Sequence, residues 1–259
     1  MRILILGAGG REHALYHKIK KSPHAERVFV WPGNGLIDTH DRVLQSAIEA
    51  DFEPLKDFIL TQKIDFTVVG NEAPLVHGVR DYLKKEIPQH RVFGPDKLGA
   101  TLEGSKAFAD AFMVEAKIPH GKSHIAKNLA DARAALQKQT LPLVIKADGL
   151  AAGKGVSIHH DFDSAEKKIF EIFENKIFGA SGSQVLLQQF LYGTEASLFA
   201  LCNGNEAFLL PVARDYKRAL TGDNGENTGG MGAYVPGTHL TDGQKLFTLE
   251  RIINPVLKK

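Results

Sequence analysis

One pattern governs the first part of the chain: short continuous apolar runs, each closed by glycine or proline, alternate with stretches whose apolar residues recur every three or four positions. The runs are "RILILG" (2–7), "RVFVW" (27–31, closed by "PGNG"), "DFTVVG" (65–70) and "RVFG" (91–94). Between them lie "REHALYHKIKKS" (11–22), with Ala14, Leu15 and Ile19 as its apolar side, "FEPLKDFILTQ" (52–62) and "PLVHGVRDYLKKE" (74–86). An unbroken apolar run is a strand buried on both faces, and the periodic stretches are amphipathic helices. The alternation predicts an α/β domain built on a parallel sheet covered by helices. Ligands of such sheets collect at the carboxyl ends of the strands, which is where this chain places its glycines.

From Thr101 the texture changes. "LEGSKAFADAFMVEAK" (102–117) predicts a helix, and "LPLVIKA" (141–147) and "GVSIHH" (155–160) read as strands on either side of a glycine loop. "DSAEKKIFEIF" (163–173) predicts a helix with Asp163 and Glu166 as a capping box and Ala165, Ile169, Ile172 and Phe173 as one apolar stripe. "SQVLLQQFL" (183–191), "EASLFALCNG" (195–204) and "EAFLLPVA" (206–213) read as successive strands of one antiparallel sheet. "GDNGENTGGMGAY" (222–234) reads as a glycine-rich loop, and "TDGQKLFTLERIINPVLKK" (241–259) as a helix with Thr241 and Gln244 as its capping box. This second half is α+β.

Composition narrows the function classes. The 259 residues are 43% hydrophobic and 24% charged, the balance of a soluble globular protein with length for two cores. A net charge of +2, with Lys and Arg spread along the chain, argues against nucleic acid as a partner. Cys202 is the single cysteine, so no internal disulfide forms and nothing argues for secretion. The apolar run 3–6 is too short for a signal-peptide core, and no stretch approaches the roughly 18 apolar residues of a membrane helix. A cytoplasmic enzyme with no membrane partner is the expectation.

Four stretches carry chemistry. In "GAGGREHA" (7–14) a strand gives way to a helix through glycines, which brings backbone N–H groups and the helix dipole to an anion. Arg11 adds a positive charge at the helix start, a place that an anion would offset. The dinucleotide fingerprint fits at Gly7 and Gly9 and fails at Glu12, and the second strand ends in Trp31 and Pro32 where a ribose-binding acid belongs. The stretch also reads as a tight turn that binds nothing. In "GNEAPLVHGV" (70–79), Glu72 either meets ligand hydroxyls or simply favours the start of the next helix.

The third stretch is "VIKADGLAAGKGVSI" (144–158). A Walker loop would need glycine where Asp148 stands and a hydroxyl where Gly155 stands. The flanks are strand on both sides, so it reads as a hairpin able to lie over a nucleotide as a flap. Lys146, between apolar neighbours, needs an anionic partner: a phosphate, or a buried carboxylate. In the fourth, "DYKRALTGDNGENTGGMGAY" (215–234), Asp215, Lys217 and Arg218 follow a strand and the glycines can wrap a small polar ligand with backbone groups. Taken alone, this last stretch reads better as a solvated loop.

In this order, "GAGGREHA", "NEAPLV", "FGPDKLGATLEGSKAF", "VIKADGLAAGKGV", "FLYGTEAS" and "NTGGMGAY" resemble the phosphoribosylamine–glycine ligases (glycinamide ribonucleotide synthetases) of the ATP-grasp superfamily. The resemblance spans essentially the whole chain. It implies an α/β pre-ATP-grasp domain over 1–103, an ATP-grasp small lobe with a glycine flap over 104–190, and the start of a large lobe over 191–259. It implies ATP-dependent joining of glycine to 5-phosphoribosylamine through glycyl phosphate, in purine synthesis. Lys106 and Lys146 would meet the ATP phosphates, with Gly149, Gly153, Lys154 and Gly155 in the flap above them. Gln188, Gln189, Phe190 and Leu191 would read adenine, and Glu195 would hold the ribose. Gly9, Gly10, Arg11 and Glu72 would lie on the phosphoribosylamine side. Asp215, Lys217, Arg218, Asn227, Thr228, Gly229 and Gly230 would face phosphoribosylamine and glycine. Lys146, Lys154 and Arg218 would neutralise charge on the transferring phosphoryl group.

Three departures bear on this expectation. Gln188 and Gln189 stand where the family carries carboxylates; an amide oxygen still accepts from the adenine amino group, but the amide can also donate, which loosens discrimination. Asn71 stands where proline is usual. Family members also continue past residue 259 into an acidic pair that holds magnesium, in a motif like E-x-N-x-R-x-G-D-P-E, and no substitute cluster lies between Thr241 and Lys259. The metal ligands are therefore expected beyond residue 259, and the chain is expected to be C-terminally truncated and inactive alone. The alternative is a non-catalytic nucleotide- or phosphoribosyl-binding fragment. Another ATP-grasp ligase is the nearest enzymatic rival, and an NAD oxidoreductase fails at Glu12 and Trp31.

Overall fold

Four parallel strands, β1 (Arg2–Gly7), β2 (Arg27–Pro32), β3 (Phe66–Val69) and β4 (Arg91–Phe93), lie in the order β2-β1-β3-β4. They belong to the first of two units, Met1–Gly104 and Ser105–Lys259, in a computed structural model that describes residues 1–149, 155–222, 224–237 and 240–259. Alternate side chains feed two cores, as the apolar runs require. Leu4, Leu6, Phe29 and Trp31 pack with Leu55 and Ile59 of α2 (Glu53–Gln62). Ile3, Ile5, Val28 and Val30 pack with Tyr16 of α1 (Gly10–Ile19). The sheet is parallel and covered on both faces, as expected.

Two expected helices are each broken. The stretch 74–86 forms α3 (Glu72–His77) and α4 (Val79–Glu86), divided at Gly78, whose φ of +94° closes α3 in the left-handed region. The stretch 102–117 forms the end of α5 (Lys97–Gly104) and α6 (Lys106–Glu115). Ser105 is extended, and its hydroxyl caps α6 by accepting the Phe108 N–H.

The second unit carries an antiparallel sheet of β5 (Ser123–Ala126), β6 (Leu143–Ala147), β7 (Val156–His159) and β8 (Val185–Gln189), ordered β5-β8-β6-β7. Leu143, Ile145, Val185 and Leu187 point to one face. There they pack on Leu136 of α7 (Leu129–Leu136) and on Ala165, Ile169 and Ile172 of α8 (Phe162–Phe173), the stripe read from the sequence. The cap of α8 differs from the expected box: Asp161 accepts the Ser164 N–H at 2.7 Å, so the helix already includes Asp163, and Glu166 pairs with Arg133 instead.

Residues 183–213 do not form one sheet. β8 is central in the sheet above, while among the described residues β9 (Ala200–Cys202) and β10 (Ala207–Leu209) form a separate two-stranded sheet. The expected glycine-rich loop is largely a strand: β12 (Asn224–Tyr234) pairs antiparallel with β11 (Arg214–Leu220). Its register slips on either side of Arg218, and Gly230 and Gly232 take φ values of +123° and +151° that such an irregular strand demands. The C-terminal stretch opens with the expected Thr241–Gln244 box on α9 (Asp242–Thr248). It then loosens into a π turn (Leu249–Ile253) before α10 (Asn254–Leu257), because Pro255 cannot donate into an α ladder. Among the described residues no helix is long and apolar enough to cross a membrane.

Candidate functional site

In the first unit, β2 and β3 flank β1 on opposite sides, so the sheet reverses its winding at the carboxyl ends of β1 and β3. Glu12, only 3% exposed, fills that crevice. A Cβ on Gly7 would lie 2.6 Å from Glu12 Cγ, and one on Gly70 would lie 2.4 Å from Glu12 Oε1. The glycine that ends β1 and the glycine that follows β3 are therefore both required by one carboxylate. Gly9 donates its N–H to Glu12 Oε2 at 2.7 Å, and Arg11 Nε donates to Oε1 at 2.9 Å. Arg11 also reaches Glu72 at 3.5 Å.

The anion that offsets Arg11 is thus internal, and the Gly9 N–H is already engaged. Gly10 has open space around its Cα, and Arg11 remains exposed. Glu12 is a residue the sequence reading used only to exclude a dinucleotide. Its spacing three positions after Gly9, the place of a capping carboxylate, was the available signal.

In the second unit, the face of the sheet turned away from α7 and α8 carries Val144, Lys146, Leu186 and Gln188. Val156 and Ile158 pair with Lys146 and Val144 and so point to the same face. This face opens into a cleft of about 770 Å3. Of the residues singled out from the sequence, Lys146, Phe190, Leu191, Glu195, Asp215, Lys217, Arg218 and Asn227 line it. The reading missed Val156, Ile158, Tyr192 and Arg214, which line it too. Period-two alternation along β7 puts the first two on one face, but does not say which face meets the cleft.

Lys146 is half-buried and has neither a hydrogen bond nor an ion pair among the described residues. Burial pushes its pKa down and Lys106 pushes it further, while Asp110 opposes both. Lys106 Nζ donates to the carbonyls of Asp148 at 3.1 Å and Gly149 at 2.9 Å. Gly149 is held against Ser181: its N–H donates to the Ser181 carbonyl at 3.2 Å, and a Cβ would lie 2.7 Å from the Ser181 hydroxyl. Ala147 and Gly155 close the hairpin at 2.8 Å. Gly153 and Lys154 lie outside the described residues.

Across the cleft, Lys217 pairs with Glu195 and Asp215, each at 3.3 Å. Burial works against the Lys217 charge, but the two carboxylates carry its pKa upward. Arg218 donates to the Gly225 carbonyl at 2.9 Å. Gln188 and Gln189 are not in the lining. Gln188 Nε2 donates to the Gly121 carbonyl at 3.3 Å, and Gln189 Oε1 accepts the Lys122 N–H at 3.4 Å. Thr228, Gly229 and Gly230 also lie outside the lining; the Thr228 hydroxyl accepts the Gly230 N–H at 3.1 Å.

Residues 1–103 match the family model described as "Phosphoribosylglycinamide synthetase, N domain", and residues 104–259 match "Phosphoribosylglycinamide synthetase, ATP-grasp (A) domain". The chain belongs to the phosphoribosylglycinamide synthetase family. Its second unit is accordingly an ATP-grasp domain. The phosphoribosylamine–glycine ligase of Leptospira interrogans is 41% identical over 258 residues, covering 99% of this chain and 60% of that protein. The Escherichia coli phosphoribosylamine–glycine ligase is 41% identical over 259 residues, covering 100% of this chain and 60% of that protein. The crystal structure of the Thermotoga maritima phosphoribosylamine–glycine ligase superposes with a TM-score of 0.79 at 31% identity, covering 100% of this chain and 61% of that one. The chain thus spans about 60% of the length of the curated relatives it matches.

The cleft fits a nucleotide. It offers apolar walls at Val156, Ile158, Phe190 and Leu191, a carboxylate at Glu195, and at Lys146 a half-buried cation with no hydrogen-bond or ion-pair partner among the described residues. It does not fit magnesium, because Glu195 and Asp215 share Lys217. Among the described residues, one group of three ligating side chains stands close together, Asp38, His40 and Asp41 in the first unit. There Lys20 already pairs with Asp38 at 2.5 Å and Asp41 at 2.8 Å.

Proposed function

We propose that the chain carries the nucleotide-binding and acceptor-binding parts of an enzyme that joins glycine to 5-phosphoribosylamine at the expense of ATP. A glycine carboxylate oxygen attacks the γ-phosphorus and ADP leaves, giving glycyl phosphate. The amine of 5-phosphoribosylamine then attacks the acyl carbon and phosphate leaves, giving glycinamide ribonucleotide. No covalent nucleophile from the protein is needed; its work is positioning and neutralising charge.

Lys146 in the cleft, with Lys106 outside its lining, takes the phosphates, Glu195 the ribose hydroxyls, and Phe190 and Leu191, with Gln188 and Gln189 next to them in the chain, the adenine. Arg218, Asp215, Lys217 and residues 227–230 face the acceptor substrates. In the first unit, Gly10, Arg11 and Glu72 take the phosphoribosyl group, with Glu12 setting the position of Gly9 and Arg11. Magnesium enters no step derived from these residues.

The observation that carries the reading is Lys146. A half-buried ammonium with no acceptor is costly unless a ligand supplies one. Calorimetric titration with ATP tests it. ATP is expected to bind the chain, and Lys146→Ala to weaken it roughly ten- to hundredfold, the loss of one charge-assisted contact of about 1.5–3 kcal/mol. Equal affinity in the two proteins would overturn the nucleotide assignment. The ligation itself is tested by mass detection of glycinamide ribonucleotide after incubation with ATP, glycine and 5-phosphoribosylamine.

A further inference from the structure

Behind β7, on the face opposite the cleft, stands a serine–histidine–serine chain that the ligation does not use. Ser157 and His159 alternate with Val156 and Ile158, so their side chains turn towards α8. Ser157 Oγ lies 2.8 Å from His159 Nε2, and His159 Nδ1 lies 3.1 Å from the hydroxyl of Ser164 in the first turn of α8. His159 is buried and Ser157 half-buried. A cavity of about 380 Å3 opens on the pair; Val156, Ile158, Lys168 and Arg218 line it with them.

The last link of the chain sets the direction of the first. Ser164 Oγ donates to the Asp161 carbonyl at 3.2 Å, and a carbonyl can only accept. With that hydrogen spent, Ser164 accepts from His159, which places the ring proton on Nδ1. Nε2 then carries the lone pair, and the Ser157 hydroxyl donates to it. A serine that donates to a histidine held in one tautomer by a third group is the arrangement of an activated nucleophile. Burial and then Lys168 hold the His159 pKa below the ordinary histidine value; His160 adds to this, while Asp161 and Glu171 oppose it. The ring is therefore a free base at neutral pH.

The strand supplies a further part. β7 is the edge of its sheet, and the Ala147 N–H bonds to the Gly155 carbonyl. Bonds across an antiparallel pair recur at every second residue, so Ser157 and His159 are bonded to β6, while Val156 and Ile158 turn their N–H groups to the open edge. The Ile158 N–H is the amide next after Ser157, the place of an oxyanion donor beside a serine nucleophile. Among the described residues no carboxylate lines the cavity. Lys168 shares Glu171 at 3.1 Å, and Arg218 has spent one of its five N–H groups on the Gly225 carbonyl.

We propose that Ser157 is a second reactive centre of this protein, a nucleophile with His159 as its general base, and that it takes the acyl group of activated esters whose acid carries a negative charge. Ser157 Oγ bonds to the acyl carbon as its proton passes to His159 Nε2, and the carbonyl electron pair moves onto oxygen beside the Ile158 N–H. The pair then returns, the bond to the leaving phenoxide breaks, and the phenoxide departs with its electrons and takes the proton from Nε2. The products are acyl-Ser157 and the free phenol. The nucleotide reading of the cleft is not needed for this, because Ser157, His159 and Ser164 have no part in it.

The test gives the whole chain the 4-nitrophenyl ester of 4-sulfobenzoic acid, follows release of 4-nitrophenolate, and locates the acyl group by peptide mass mapping. One acyl group on Ser157 is expected, formed at least about a hundredfold more slowly in His159→Gln, which keeps an acceptor for the serine hydroxyl. The neutral 4-nitrophenyl benzoate should react roughly tenfold more slowly, for want of one charge-assisted contact. The rate should be level above about pH 6.5 and fall as pH drops through the lower native value of His159, because a protonated Nε2 accepts nothing. Acylated lysines with Ser157 untouched, or an unchanged rate in His159→Gln, would overturn the proposal, and equal rates for the two esters would overturn its anionic class. A rate that climbs steadily to pH 10 would mean attack without a base and would overturn it too. The tautomer is read with no ester present: 15N spectra at pH 7.5 should show His159 protonated at Nδ1 and bare at Nε2. The opposite tautomer would sink the proposal even if His159→Gln failed to fold.

Discussion

Glu12 Oε1 occupies the space that a side chain on Gly70 would need: a Cβ there would lie 2.4 Å away. Glu12 cannot retreat without releasing the Gly9 N–H and Arg11, so the clash is not relieved by a flexible tip. Gly70→Ala is therefore expected to destabilise the first unit by about 1–3 kcal/mol, the range for overpacking. Gly10→Ala, with nothing within 4 Å, is expected to be neutral or slightly stabilising. The single tryptophan, Trp31, is buried in this unit's core, so urea unfolding followed by its fluorescence reads both variants.

The amide of Gln188 has a fixed orientation. Its nitrogen donates one of its two N–H groups to the Gly121 carbonyl, while no hydrogen bond engages the oxygen among the described residues. The two-way hydrogen bonding expected of a glutamine in this place is thereby weighted towards accepting, with one of its two donors spent. An acceptor matches the amino group of adenine and opposes the oxygen of guanine. ATP is expected to bind at least about tenfold more tightly than GTP, one hydrogen bond's worth of preference. Gln188→Leu should narrow that gap. Competitive titration of the two nucleotides checks it, and parity between them in the parent chain would remove Gln188 from the adenine hinge.

His159 is buried, with Nε2 against the Ser157 hydroxyl at 2.8 Å and Nδ1 against the Ser164 hydroxyl at 3.1 Å. Burial first, then Lys168, holds its pKa below the ordinary histidine value. The unfolded chain therefore takes up a proton at a higher pH than the native one. The stabilisation is complete above the unfolded value of about 6.5 and drains away as pH falls through the lower native value. Hydrogen exchange of β7 and α8 amides should quicken between pH 7.5 and 5.5 beyond its intrinsic pH dependence, and His159→Gln should flatten that trend. His90 in the first unit has the same sign, again from burial, and Trp31 fluorescence follows it separately.

What could be read from the sequence was what burial and alternation write directly. The apolar runs at 2–7 and 65–70 could only be doubly covered strands, and β6 and β7 flank the loop after Lys146 as an antiparallel pair. Glycine hid the rest. β12 is so rich in it that local propensity says loop, and only pairing with β11 makes it a strand. The break at Ser105 was masked because helical periodicity runs on through "LEGSKAF" while the hydroxyl caps a new helix. Glu12 escaped because its partners, Gly7 and Gly70, are brought together only by the sheet. The lining residues Val156 and Ile158 were missed because nothing in a four-residue strand marks which face will meet a cleft.

The start of α8 offers the sharpest check on that kind of misreading. The sequence shows two acids, Asp161 and Asp163, either of which suits a cap, and Glu166 three residues after the second favours the second. The backbone chooses the first. Asp161 is extended at φ −141° and ψ 157°, and its carboxylate accepts the Ser164 N–H, a bond that also lowers its pKa. Asp163 sits inside the first turn, where it contributes only its charge to the helix dipole. Asp161→Ala should therefore lower the urea midpoint of the second unit clearly more than Asp163→Ala, and Asp161→Asn, which still accepts, should stay close to the parent. Below the ordinary aspartate range the difference should shrink, because a depressed native pKa means that the cap's contribution is present at neutral pH and is lost as pH falls through that lower value. If Asp163→Ala proved the more damaging of the two at neutral pH, the cap would be the Asp163–Glu166 box and α8 would begin two residues later.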